Sequence, residues 1–169
     1  MANLRVQDRL QPALLDRLTD DDAKSPVESV DGRVINRNRL REMVLRDLAW
    51  LFNATAPGAM SIDWTAAPHA RNSVLNYGLP ALSGQTASTV DPLVLQARVK
   101  QAILDHEPRI LPGTLTVEAL ISDAQMDHHN QIGFRISGQL WAQPVPLELL
   151  LHTDIDLETG RVAVRELDR

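Results

Sequence analysis

The sequence predicts an α+β fold in which two main helices pack on an antiparallel sheet of three to four strands. Two changes of pattern carry that expectation. Apolar residues recur at helical spacing through residues 36–53 and again through 91–107, and from Thr114 onward the period becomes two. Helices first and hairpin-linked strands afterwards is the order of an α+β domain. The chain divides into an N-terminal arm, residues 1–35, and a single domain over residues 36–169, long enough to bury a core without metals or disulfides.

Within the arm, Leu10, Leu14 and Leu18 share one helical face, followed by the acidic turn Asp20-Asp21-Asp22 and a turn signal at Asp31-Gly32. So short a stripe cannot hold a helix in water and must dock on its own domain or on a neighbour.

The first firm helix runs from about Asn36 to Asn53. Leu40, Met43, Val44, Leu48, Leu51 and Phe52 form its apolar stripe, and Arg37, Arg39, Arg41, Glu42, Arg46 and Asp47 populate much of the remainder. The arginines read either as a solvated face or as a contact with an acidic partner. Residues 54–90 hold Pro, Gly, Ala, Ser and Thr with little periodicity, and a structureless loop of that length implies function or a partner contact. A second helix opens at Asp91-Pro92, a capping residue followed by proline at the first helical position, and stops near Glu107 because Pro108 follows.

Four strands are then expected. Leu115, Val117 and Ala119 mark the first, Ile132, Phe134 and Ile136 the second, Leu147, Leu149 and Leu151 the third, and Val162 and Val164 the fourth. Asp127 to Gln131 and Glu158-Thr159-Gly160 read as turns. The fourth strand is short and charged, as a protected edge would be. The Leu147 to Ile155 run carries few charges, which makes it the better template for an added strand if it lies at an edge.

Composition narrows the function. Lys and Arg number 17 against 22 Asp and Glu, a formal net charge of -5, so no global attraction to nucleic acid or to an anionic membrane is expected. There are no cysteines, which excludes thiolate catalysis and Cys-based zinc sites. No apolar run has the length of a signal peptide or of the ~20 residues of a membrane span, so a cytoplasmic protein without membrane insertion is expected. No Gly-rich phosphate loop, G-x-S-x-G elbow or H-E-x-x-H motif occurs, and no pair of carboxylates is singled out for glycosidase chemistry. His128-His129 on a turn reads as solvated rather than metal-binding. No catalytic residue, metal or cofactor is expected.

The segment that stands out is His106-Glu107-Pro108-Arg109-Ile110. Pro108 stiffens the frame between a carboxylate and a guanidinium fork. Two readings stay open: an internal ion pair closing a loop, or a rigid polar contact aimed at another protein.

Glu107-Pro108-Arg109-Ile110 resembles the E-P-R motif of the TssE family of type VI secretion baseplate subunits and of the related baseplate wedge proteins of contractile phage tails. Ser73-Val74-Leu75-Asn76-Tyr77-Gly78-Leu79-Pro80 is similar to the family's S-V-x-N-Y-G-[LI]-P element, and Leu14-Leu15-Asp16-Arg17-Leu18 to its N-terminal L-L-D-R-L. His106 and Ala81 depart from the pattern, standing where an aromatic and an acidic residue are common. The resemblance implies a sheath-domain-like α+β fold and a structural, non-enzymatic baseplate role. It also implies assembly with TssF, TssG and TssK, initiation of the TssB–TssC sheath, and a bacterial cytoplasmic site where the baseplate docks on the inner-membrane complex. Glu107, Pro108 and Arg109 would be the partner-binding residues, anchoring the subunit to the TssF–TssG core bundle. The alternative is a peptidoglycan hydrolase serving the same machine, in keeping with the family's "lysozyme-like" label.

Overall fold

Local chemistry places each helix. In α2 (Arg37–Asn53) the Asn36 side chain caps the first turn by accepting from the Arg39 amide at 2.7 Å. In α3 (Pro92–His106) the Asp91 carboxylate accepts from the Leu93 and Val94 amides at 2.8 and 3.4 Å, with Pro92 at the first helical position. Each such cap is worth about 1 kcal/mol. A short helix, α1 (Leu14–Leu18), precedes them. The computed structural model describes residues 13–19, 36–57, 62–86, 89–120, 130–142 and 145–167. Leu10, Asp20-Asp21-Asp22, Asp31-Gly32 and His128-His129 lie outside the described residues.

The sheet is a four-stranded antiparallel meander in the order β1 (Thr116–Leu120), β2 (Gln131–Leu140), β3 (Leu147–Asp156) and β4 (Val162–Glu166). Its register sets Val117 opposite Ile136, Ile136 opposite Leu151, and Ile155 opposite Val162, so one face is mainly apolar, with Thr153 buried within it. Both long helices cover that face, α2 against β4 and α3 against β1. The stripe expected on α2 is buried in full, as are Leu95, Val99, Ala102 and Ile103 of α3. They meet Phe134, Ile136, Leu149 and Leu151 of the sheet, each buried side chain contributing about 2 kcal/mol. The expected α+β architecture and all four strands are therefore present. The Glu158-Thr159-Gly160 turn is present too, with Gly160 at φ 73° and its amide bonded to Asp156 O at 2.8 Å.

Two expectations are corrected. The Leu147–Asp156 strand is interior, paired with β2 on one side and β4 on the other, so it offers no edge. Its few charges reflect burial between neighbours. Residues 54–90 are not one structureless loop. Two 3-10 turns, Pro68–Asn72 and Val74–Asn76, lead back to α2, where the Leu79 amide bonds Ala54 O at 2.9 Å and Leu79 O accepts from Ala56 at 2.8 Å. Gly78 makes that approach possible. It sits at φ 122°, and a Cβ there would lie 2.3 Å from Ala54 O. In α1, Leu14 and Leu18 are 72% and 75% exposed, so of the two docking places expected for the arm these two leucines do not use their own domain.

Both edges of the sheet are guarded by side-chain amides. Gln96 of α3 accepts from the Ala119 amide at 2.9 Å on the open side of β1. Asn53, the last residue of α2, pairs with β4 as a strand would. Its Oδ1 accepts from the Val162 amide at 3.0 Å and its Nδ2 donates to Val162 O at 2.9 Å. Because Val162 turns its backbone groups away from β3, the alternation of an antiparallel ladder turns those of Val164 and Glu166 outward as well.

Candidate functional site

The residues after α3 build the site. Pro108 cannot continue the helix, so the chain turns, and Ile110 forms a bridge with Leu140 at the end of β2. The Leu111 amide bonds Gln139 O at 2.8 Å and the Trp141 amide bonds Arg109 O at 2.7 Å, which fixes the connector to the sheet. Glu107 caps α3 through its amide, bonded to Ile103 O, and is buried.

Glu107 and Arg109 are brought together as one clamp. Arg109 donates to Glu107 Oε1 from its backbone amide at 3.1 Å and from Nε at 2.7 Å, and to Oε2 from Nη2 at 2.5 Å. Nη2 also donates to Asp47 Oδ2 at 2.6 Å. Of the two readings left open by sequence, the internal ion pair is present in the structure. Burial works against the charge on Arg109, and the carboxylates of Glu107 and Asp47 outweigh it, leaving the guanidinium more basic than an ordinary arginine. Its Nη1 meets no acceptor among the described residues.

Asp47 extends the pair into a cluster. Its Oδ1 accepts from Arg46 Nη2 at 2.8 Å and Nε at 3.0 Å. Arg46 in turn holds Asp16 of α1, donating from Nη1 to Oδ1 and from Nη2 to Oδ2, the latter at 3.1 Å. The hydrogen bond from Arg46 holds the pKa of the Asp16 carboxyl below its ordinary range, and the same bond raises that of Arg46. Tyr77 reaches the same place, donating its hydroxyl to Asp47 O at 3.4 Å and meeting the His106 ring edge-on at 5.2 Å. Burial, helped by Asp47 and Glu107, pushes its phenol pKa up.

The sequence singles out Glu107, Pro108 and Arg109 but not Asp16, Arg46, Asp47 and Tyr77 as parts of one cluster. In pattern, Arg46 and Asp47 are members of a charged helix face. The acidic partner entertained for those arginines is, for Arg46, a carboxylate of its own chain. A signal was available, because Asp16 and Tyr77 both belong to the segments that carry the family resemblance. Those three segments, separate in sequence, converge around Asp47.

The charge pairing in the cluster differs from what glycosidase chemistry needs. Asp16, Asp47 and Glu107 are each ion-paired with an arginine, whereas a glycosidase needs one carboxyl kept protonated by burial beside an ionised partner. No group of residues able to hold a metal occurs among the described residues. No helix among them is long and apolar enough to cross a membrane.

A family model described as baseplate wedge protein gp25 matches residues 38–145. The match runs from α2 to just past β2 and includes Asp47, Tyr77, Glu107 and Arg109. No curated protein and no solved structure matches the chain.

Proposed function

The chain belongs to the baseplate wedge protein gp25 family, whose role is structural and exercised through other baseplate components, and from that premise we propose that it is the TssE-like wedge subunit of a type VI secretion system. The observation that carries this reading is the convergence on Asp47. The N-terminal L-L-D-R-L, the S-V-L-N-Y-G-L-P element and Glu107-Pro108-Arg109, which together resemble the secretion branch, contribute Asp16, Tyr77 and Arg109 to one cluster.

In this reading the cluster is the anchor for the TssF–TssG core bundle, with TssK completing the baseplate. Glu107 and Asp47 hold the Arg109 guanidinium in place and leave Nη1 to donate to a partner acceptor. Exposed apolar side chains stand on the contributing segments, Val74 at 82%, Leu75 at 68% and Trp50 at 51%. An ordered arginine with exposed apolar neighbours is the usual make-up of an interface hot spot. The site of action is the bacterial cytoplasm, where the baseplate meets the inner-membrane complex.

The second contact initiates the TssB–TssC sheath. With β3 interior and β1 capped by Gln96, the outward backbone groups of Val164 and Glu166 on β4 are the better place for a donated strand. Co-purification of the chain with TssF–TssG tests the first contact and sheath nucleation tests the second. Loss of neither in the corresponding variants would defeat the reading, as would turnover of peptidoglycan by the purified chain.

A further inference from the structure

Helix α1 has five residues, far fewer than the roughly 12 that make an isolated helix even marginal in water. Something must hold it, and its leucines do not. Leu14, Leu15 and Leu18 are 72%, 48% and 75% exposed. What is buried is the charge, the Asp16 side chain at 6% exposed, with both oxygens on the Arg46 guanidinium. Arg46 is itself fixed from two other sides. Asp47 accepts from its Nε and Nη2, and its guanidinium carbon lies 4.9 Å from the centre of the Trp50 ring.

We propose that α1 is a charge-held clasp on α2, a segment fastened, among the described residues, by the Asp16–Arg46 pair, whose release uncovers an arginine already oriented beside Arg109. The docked state places a carboxylate in the Arg46 fork. In the released state Asp47 and Trp50 keep the guanidinium in position while its Nη1 loses its acceptor, so the chain turns a second arginine outward next to the first. The device therefore sets how many guanidinium groups the site presents. It is a property of the isolated chain and is independent of which baseplate the chain serves.

Two full-length variants separate charge from apolar docking. The Thr19 amide, bonded to Leu15 O at 3.1 Å, reports the closure of α1, and the Trp50 indole reports the placement of Arg46. In Asp16→Asn, hydrogen exchange at Thr19 is expected to rise about tenfold or more while the Trp50 indole resonance stays in place, since Asp47 and Trp50 keep the guanidinium positioned; a displaced indole would overturn the oriented arginine. In the double variant Leu14→Ser, Leu18→Ser, Thr19 is expected to exchange within about twofold of the wild-type rate, with the indole resonance unmoved. Retained protection in Asp16→Asn would overturn the clasp, and so would loss of protection in the leucine variant. Both measurements are made on the chain alone, so neither outcome bears on whether TssF–TssG binds.

Discussion

Arg109 donates to Asp47 across 2.6 Å, tying the connector after α3 to the polar side of α2, 62 residues earlier in the chain. This one bond makes the Glu107–Arg109 pair a tertiary contact rather than a local loop closure. Asp47 is a shared acceptor, with Arg109 on one oxygen and Arg46 on the other.

Removing Asp47 therefore affects two arginines at once. In Asp47→Ala both lose an acceptor, though each keeps a second carboxylate, Glu107 or Asp16. The groups are partly solvated, so the expected loss is about 1–2 kcal/mol rather than the larger cost of a fully buried pair. Urea unfolding of the isolated chain measures it, and Glu107→Ala, which strips the more buried acceptor, is expected to lose more.

The Asp16 contact has a defined pH dependence. Its carboxyl is held below the ordinary value of 3.8 by the hydrogen bond from Arg46, against the opposing pull of burial. A lowered folded-state value means that the docking contribution is fully present above the ordinary value and is lost as pH falls through the lowered one. Exchange at Thr19 is expected to be flat from neutral pH down to about 5, after correction for intrinsic rates, with α1 released only in stronger acid. The Asp16→Asn profile should show no such transition.

Gly78 is expected to resist substitution. Alanine there combines a φ of 122° with a Cβ 2.3 Å from the Ala54 carbonyl, so the Leu79–Ala54 backbone contact must open. A loss of about 2 kcal/mol or more, read as a lower thermal midpoint, is the expected outcome.

On β4 a proline can separate folding from strand addition. The Val164 amide points away from β3, so Val164→Pro removes no bond of the existing ladder while blocking a donated strand. The variant is expected to fold, to keep TssF–TssG capture and to lose sheath nucleation by TssB–TssC. Normal sheath nucleation on the folded variant would reject β4 as the template.

Much of this fold is legible from spacing alone. The α2 stripe, the Asp91-Pro92 start and the alternation in all four strands follow from burying one face of each element. Strand order is different. A low-charge run such as Leu147 to Leu151 is compatible with an exposed template or an interior strand, and only the pairing partners decide. The cluster was half legible: Glu107 and Arg109 are adjacent and joined by a stiff proline. Asp47 is an aspartate on a polar helix face, identical in pattern to a solvated one. Asp16 is hidden in another way, because the pattern draws attention to the leucines around it while within the chain the carboxylate makes the contact.

The most direct test of the assigned role is equilibrium binding of the full-length chain to purified TssF–TssG, wild type against Arg109→Ala, with the melting transition of each recorded alongside. Wild-type binding is expected, together with a loss of about 2 kcal/mol or more in a variant that still unfolds cooperatively. Absence of wild-type binding, or equal binding by a folded Arg109→Ala chain, would contradict it.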